Sequence, residues 1–192
     1  MMRSLLIAAV LLPASSFACE LTNHFKVIGF DAKETLVAMR EESEGTIAVH
    51  LYELPSGKRK SSWDIINYDE TTSEPANGDM SKLGKLRAAR WKEAEAALVR
   101  EGIKINAKYP IRDTVTIGKA KFITRSGETS EYVVSAVEVV RIEGKESTVI
   151  DRQSSPTAND TVAYDGFSVS PAKKTLIILP SGCGAAPVFV EI

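Results

Sequence analysis

Only one stretch of this chain has the apolar spacing of a long helix, and it sits among short segments of strand-like pattern. Between Ser81 and Glu101, at 100° per residue, Leu83, Leu86, Trp91, Ala94, Ala97 and Leu98 fall on one broad face. Asp79 or Ser81 can cap the start. Gly102 suits the left-handed position after the last turn, with Ile103 able to fold back on Leu98. One amphipathic helix among many strands predicts an α+β class, mostly antiparallel β-sheet with the helix packed on it. Arg87 and Arg90 project into the apolar face of that helix. Either their stems cover apolar surface while their heads reach water, or they pair with carboxylates on the sheet.

From Phe25 to Ile66 the pattern is that of a meander. Lys26-Val27-Ile28-Gly29-Phe30 and Thr35-Leu36-Val37-Ala38-Met39 flank a polar turn, and Ile47, Val49 and Leu51 then alternate with Ala48, His50 and Tyr52. Pro55-Ser56-Gly57-Lys58 is a turn by its chemistry, since Pro presets φ and Gly admits the positive φ that follows. A strand over Arg59–Ile66 completes the unit. Residues 67–80 read as a surface loop with Asp69, Glu70, Glu74, Asn77 and Asp79. The second β region, 103–192, holds candidate strands at Thr114–Thr124, Glu131–Ile142, Ser147–Arg152, Thr161–Val169, Thr175–Leu179 and Val188–Glu191. Tyr132, Val134 and Ala136 alternate with Val133, Ser135 and Val137, which predicts one solvated sheet face.

The first 18 residues have the form of a secretory signal peptide. Arg3 supplies the positive start, Leu5 to Leu12 are unbroken apolar residues, Pro13 ends the run, and Ser16-Phe17-Ala18 puts small residues at −3 and −1. Cleavage after Ala18 would leave 19–192 as one β-rich secreted domain, with a periplasmic address. The apolar run is too short for a permanent span, which takes about 20 residues, and no later stretch is long and apolar enough. Cys19 and Cys183 both survive cleavage. In an oxidising compartment such a pair forms a disulfide, and closing so long a loop contributes about 4–5 kcal/mol in the entropy model. Two alternatives stay open, a lipid-modified Cys19 and a pair of free thiols.

Charge narrows the function classes. Lys and Arg total 24 against 25 Asp and Glu, and 44% of residues are hydrophobic, so the chain can bury a core and carries no overall basic footprint for nucleic acid. Two His and two Cys are too few for a Cys/His zinc site. Cys183, in Ser181-Gly182-Cys183-Gly184, would need a base to act as a nucleophile, and only His24 and His50 are on offer. His50 faces away from Val49 and Leu51, so it is expected on a wet face beside Tyr52. His24 is expected to be solvated. The acidic loop lacks the alternating Asp-x-Asp-x-Asp-Gly core of a calcium loop, and no Gly-x-Ser-x-Gly elbow, Walker loop or His-Glu-x-x-His occurs.

A weak internal echo links the two ends of the chain: Ala32-Lys33-Glu34-Thr35-Leu36-Val37 matches Ala172-Lys173-Lys174-Thr175-Leu176-Ile177. Both copies resemble the strand–turn–strand of propeller-type repeats, where a Pro-Asp-Gly-Lys turn is usual, although the glycine is lost at both. Two copies are too few for a closed propeller, which needs at least four blades. The mature layout is blade-like hairpin, acidic loop, Ala/Arg-rich helix ending in Gly-Ile, β segment and closing blade-like hairpin. It is similar to a bacterial family of predicted secreted proteins of unknown function, which implies an envelope location and brings no catalytic residues. The reading is therefore a non-catalytic binding or envelope-interaction module, partnered by an envelope protein or a small ligand, with no metal site and no cofactor. Its alternatives are a secreted hydrolase using carboxylates, a thiol oxidoreductase through Cys183, and a lipid-anchored structural protein.

Overall fold

The alternating segments pair with their chain neighbours, because the short turns between them leave no length for a parallel crossover. The computed structural model describes residues 23–43, 45–67, 80–105, 108–130, 135–155, 162–182 and 186–192. Strands β1 (His24–Phe30), β2 (Leu36–Ser43), β3 (Thr46–Glu53) and β4 (Arg59–Ile66) form an antiparallel sheet in sequence order. Helix α1 (Met80–Arg100) follows. A second antiparallel sheet holds β5 (Thr114–Ile117), β6 (Ala120–Ser126), β7 (Ser135–Glu143) and β8 (Glu146–Ser155). A third runs β11 (Val188–Glu191), β10 (Thr175–Ser181), β9 (Ala163–Val169). The class is thus α+β, mostly antiparallel sheet with one helix packed on it.

Burial arranges these elements in four layers. On one face of the first sheet, Ala38, Val49, Leu51 and Ile65 pack against Ala94 and Leu98 of α1. On its other face Phe25, Val27, Val37 and Met39 pack against Ile177 and Leu179 of β10. The alternate residues of β10, Leu176 and Ile178, join Val115, Phe122 and Val139 of the β5–β8 sheet. All seven residues of β10 are buried, which explains its unbroken apolar run: a strand covered on both faces has no polar side to alternate with.

The helix terminates as its sequence suggests. Gly102 takes a φ of 78°, its N–H donates to Val99 O at 2.9 Å, and the Ile103 N–H donates to Leu98 O at 3.0 Å. This is a Schellman ending, sealed by the Ile103–Leu98 contact. The chain then crosses β1, where the Lys104 N–H donates to Phe30 O at 3.0 Å. The crossing is close: a Cβ on Gly29 would lie 2.6 Å from both Ile103 Cγ2 and Lys104 O. β1 bulges at the same point, with a register shift between Val27 and Gly29.

Three expectations need correction. The segment Thr114–Thr124 is two strands, β5 and β6, turned by Gly118 at a φ of 60°. The helix docks through its C-terminal half only: Ala94 and Leu98 are 1% exposed, but Leu86 is 42% exposed, because the sheet beneath gives apolar contacts from Trp91 onward. Over the described part of the alternation expected in β7, Ala136 and Glu138 are buried while Ser135 and Val137 are half-buried, so the two faces differ in exposure; residues 132–134 lie outside the described residues. The β6–β7 ladder runs one residue past β6, with the Gly127 N–H donating to Ala136 O at 2.9 Å. His50, expected on a wet face, is buried because the third sheet covers that side of the first.

The blade-like hairpins at the two ends share one turn, out of step with the sequence echo by one residue. Phe30 pairs with Val37 and Val169 with Leu176, so Asp31 corresponds to Ser170 and Glu34 to Lys173. Among the described residues, Glu34 and Lys173 are the two non-glycine residues of positive φ, at 56° and 58°. They occupy the place where the repeat turn usually has its glycine. The two turns also touch, as the Ala172 N–H donates to Glu34 Oε1 at 2.7 Å.

Candidate functional site

A cleft of about 530 Å³ opens where α1, the β1–β2 hairpin and the segment after the helix meet. Its position follows from the strand period. Lys26 lies on the same face of β1 as Ile28, and Arg40 on the same face of β2 as Leu36 and Ala38, so both point toward the helix side. Trp91 reaches the cleft from α1, while Ile105, Lys108, Tyr109 and Pro110 close it from the following segment. Of the nine described residues that line it, three are cationic, two are aromatic and none is acidic.

The local bonds hold these groups without neutralising them. Lys26 and Arg40 are direct cross-strand partners. Arg40 Nε lies 2.8 Å from Glu42 Oε1, an ion-pair distance, yet its N–H is buried with no aligned acceptor. Lys26 and Lys108 have no ion-pair partner among the described residues. The Trp91 indole N–H donates to Glu95 Oε1 at 2.6 Å, fixing the ring. Tyr109 meets Phe30 edge-on, with ring centroids 4.9 Å apart. Burial first, then the charge of Glu34, pushes the Tyr109 phenol above its ordinary range, against a hydrogen bond from the Phe30 backbone. Tyr109 therefore adds no negative charge to the cleft at neutral pH.

The residues singled out in the sequence lie elsewhere. Cys19 and Cys183 fall outside the described residues, as do residues 1–18 and the acidic-loop residues Asp69, Glu70, Glu74, Asn77 and Asp79. His24 is exposed and paired, its Nδ1 2.9 Å from Asp165 Oδ2 on β9. His50 Nε2 lies 2.6 Å from Glu41 Oε2, and its Nδ1 is buried without a partner. Tyr52 shares that inner face. Burial first, then Glu41, pushes its phenol up to about 12, against the pull of Arg59. Arg87 is half-buried with its Nε–H unpartnered, which matches neither reading of that side chain in full.

Among the described residues several carboxylates are held in polar contacts. Glu138 is buried, with Arg125 Nη2 at 3.0 Å and Arg152 Nη1 at 3.7 Å on the flanking strands. Asp151 accepts from the Tyr164 hydroxyl at 2.8 Å; burial first, then this bond and charge, pushes that phenol far above its usual range. Glu143 and Glu146 share a shallow depression of about 120 Å³ at the β7–β8 turn, but both are open to solvent and Glu143 is bonded to Arg141 at 2.8 Å. Among the described residues no group of three or more His, Cys, Asp or Glu could hold a metal ion, and no helix is long and apolar enough to cross a membrane.

Sequence reasoning missed the cleft because its five key side chains come from three separate segments. The legible signal was a cation, Arg40, continuing the apolar face of a strand after Leu36 and Ala38. No family model, curated protein or solved structure matches this chain.

Proposed function

We propose that this protein is an exported, non-catalytic binding module whose ligand site is the cleft between α1 and the β1–β2 hairpin. The observation that carries the reading is the cleft itself, about 530 Å³ in volume and within the range of small-ligand sites. Aromatic and apolar walls with a few placed polar groups are the composition of such sites, and Trp91, Tyr109, Ile28 and Ile105 supply the walls. The signal-like residues 1–18, the Cys19 and Cys183 pair, and the layout similar to bacterial secreted proteins support the export half of the proposal.

The test is native intact mass of protein purified from its own envelope fraction, with and without reductant. The expected mass begins at Cys19, is lighter by two hydrogens until reduced, and carries a bound species that denaturation releases. Filling the cleft with Ile105→Trp should abolish that species. An uncleaved, reduced chain overturns the export half. A mature chain that emerges without bound mass, and takes up nothing from an envelope extract, overturns the binding half.

A further inference from the structure

We infer that the cleft beside α1 takes a small organic anion with a flat apolar body, its charge held by Lys26, Arg40 and Lys108 and its body laid against Trp91 and Tyr109. The inference rests on the reading of this cleft as a ligand site and adds the class of the ligand.

The electrostatics point in one direction. Like charges directly opposite one another weaken a strand pair, yet Lys26 and Arg40 stand opposite on the face that lines the cleft. Glu42 offsets only Arg40, and at a half-exposed position where such a pair contributes little. Lys108 brings a third cation from a different segment, and none of the described lining residues is acidic; the carboxylate nearest the walls, Glu95, is engaged by the Trp91 indole N–H. The chain as a whole has a formal net charge of −1, so this local positive field is built against the molecular balance. A cleft lined by one sign of charge between low-dielectric walls concentrates the opposite ion. The buried Arg40 N–H without an aligned acceptor is a donor that an incoming oxygen can satisfy.

The walls narrow the class further. A bare inorganic anion gains nothing from an indole and a phenol, whereas a planar organic anion buries its ring on them while its carboxylate or sulfonate meets the cations. Both rings are pre-set, Trp91 by its bond to Glu95 and Tyr109 by its edge contact with Phe30. Little order has to be imposed when the ligand arrives.

The experiment uses the mature chain carrying Trp63→Phe, which leaves Trp91 as the reporting indole, and titrates it with 4-nitrobenzoate, the neutral 4-nitrobenzyl alcohol and inorganic phosphate. Saturable quenching of Trp91 by 4-nitrobenzoate is expected, with the alcohol and phosphate each at least tenfold weaker. Affinity for the anion should fall as salt is added. Both lysines are exposed, so Lys26→Gln with Lys108→Gln should leave the fold intact. That variant should weaken 4-nitrobenzoate by about tenfold or more, the scale of losing one charge-assisted contact, and leave the alcohol unchanged. If the alcohol binds as well as the acid, the anion assignment falls while the cleft stands as a ligand site. If phosphate matches 4-nitrobenzoate, the flat apolar body falls. If no probe quenches Trp91, the reading of the cleft as a ligand site falls with the inference.

Discussion

Asp31 and Ser170 organise the same turn with different chemistry. Asp31 Oδ1 accepts the backbone N–H groups of Thr35 and Leu36, both at 2.7 Å, and its Oδ2 accepts the Thr35 hydroxyl at 3.0 Å. Ser170 Oγ accepts from Lys174 and Thr175 at 3.1 and 3.2 Å. The shorter bonds belong to the charged acceptor, as expected. Burial pulls the Asp31 carboxyl upward, but the bonds it accepts outweigh that and hold it below its ordinary 3.8. A depressed folded pKa means stability that is present above the unfolded value and lost as pH falls through the folded one. Asp31→Ser should therefore cost about 1 kcal/mol at pH 7, kept small by the solvent exposure of the carboxylate. The gap should narrow as the pH falls below the ordinary carboxylate range and through the depressed folded value, where the wild-type carboxyl takes up its proton. Urea unfolding at pH 7 and along a descending pH series checks both statements. Single residues were the least legible part of the chain. Lys26 meets Arg40 only through a register that a bulge adjusts, and the covering sheet decides the burial of His50; neither fact is local to the residues concerned.

At the scale of elements, two glycines separate close approach from open space. Gly29→Ala would drive a methyl into Ile103 and the Lys104 carbonyl, displacing the chain that follows the helix, at a cost of about 1–3 kcal/mol. Gly84 lies in the exposed N-terminal half of α1, with nothing within 4 Å of an added Cβ. Gly84→Ala should stabilise by about 0.5–1 kcal/mol through helix propensity alone. Thermal unfolding of the two variants beside the parent should show opposite shifts. The strands and the helix ending were readable because their determinants are local: β4 matches its expected span, β11 does too, and the Gly102-Ile103 ending follows from two adjacent residues. Coverage was not readable. Nothing local to α1 says that the sheet supports it from Trp91 onward.

For the whole molecule, the third sheet is the element on which the others depend. Ile177 faces one core and Ile178 the next, both with no exposed surface. Truncating either to Ala should cost about 2–5 kcal/mol. Because adjacent residues of one strand complete both cores, the parent should unfold in a single step. Tryptophan fluorescence, reporting Trp63 and Trp91 beside the first sheet, should lose signal at the same urea concentration as the amide protection of β7. Two separated transitions would mean that the β5–β8 sheet holds together without the first. The α+β class and the paired end hairpins were legible in composition and period. The stacking order was not, since three sheets of similar pattern can be layered in more than one way.

The touching turns of the first and last hairpins also set a clock. Glu34 and Ala172 are 138 residues apart in sequence, and His24 and Asp165 are 141 apart. During synthesis the inner face of the first sheet, with Phe25, Val27 and Met39, has no cover until β10 has been made. Contacts of such long range are slow to form and come late. The core between α1 and the first sheet can close once residue 103 has been made, whereas the opposite face of that sheet stays open until nearly the last residues have been added.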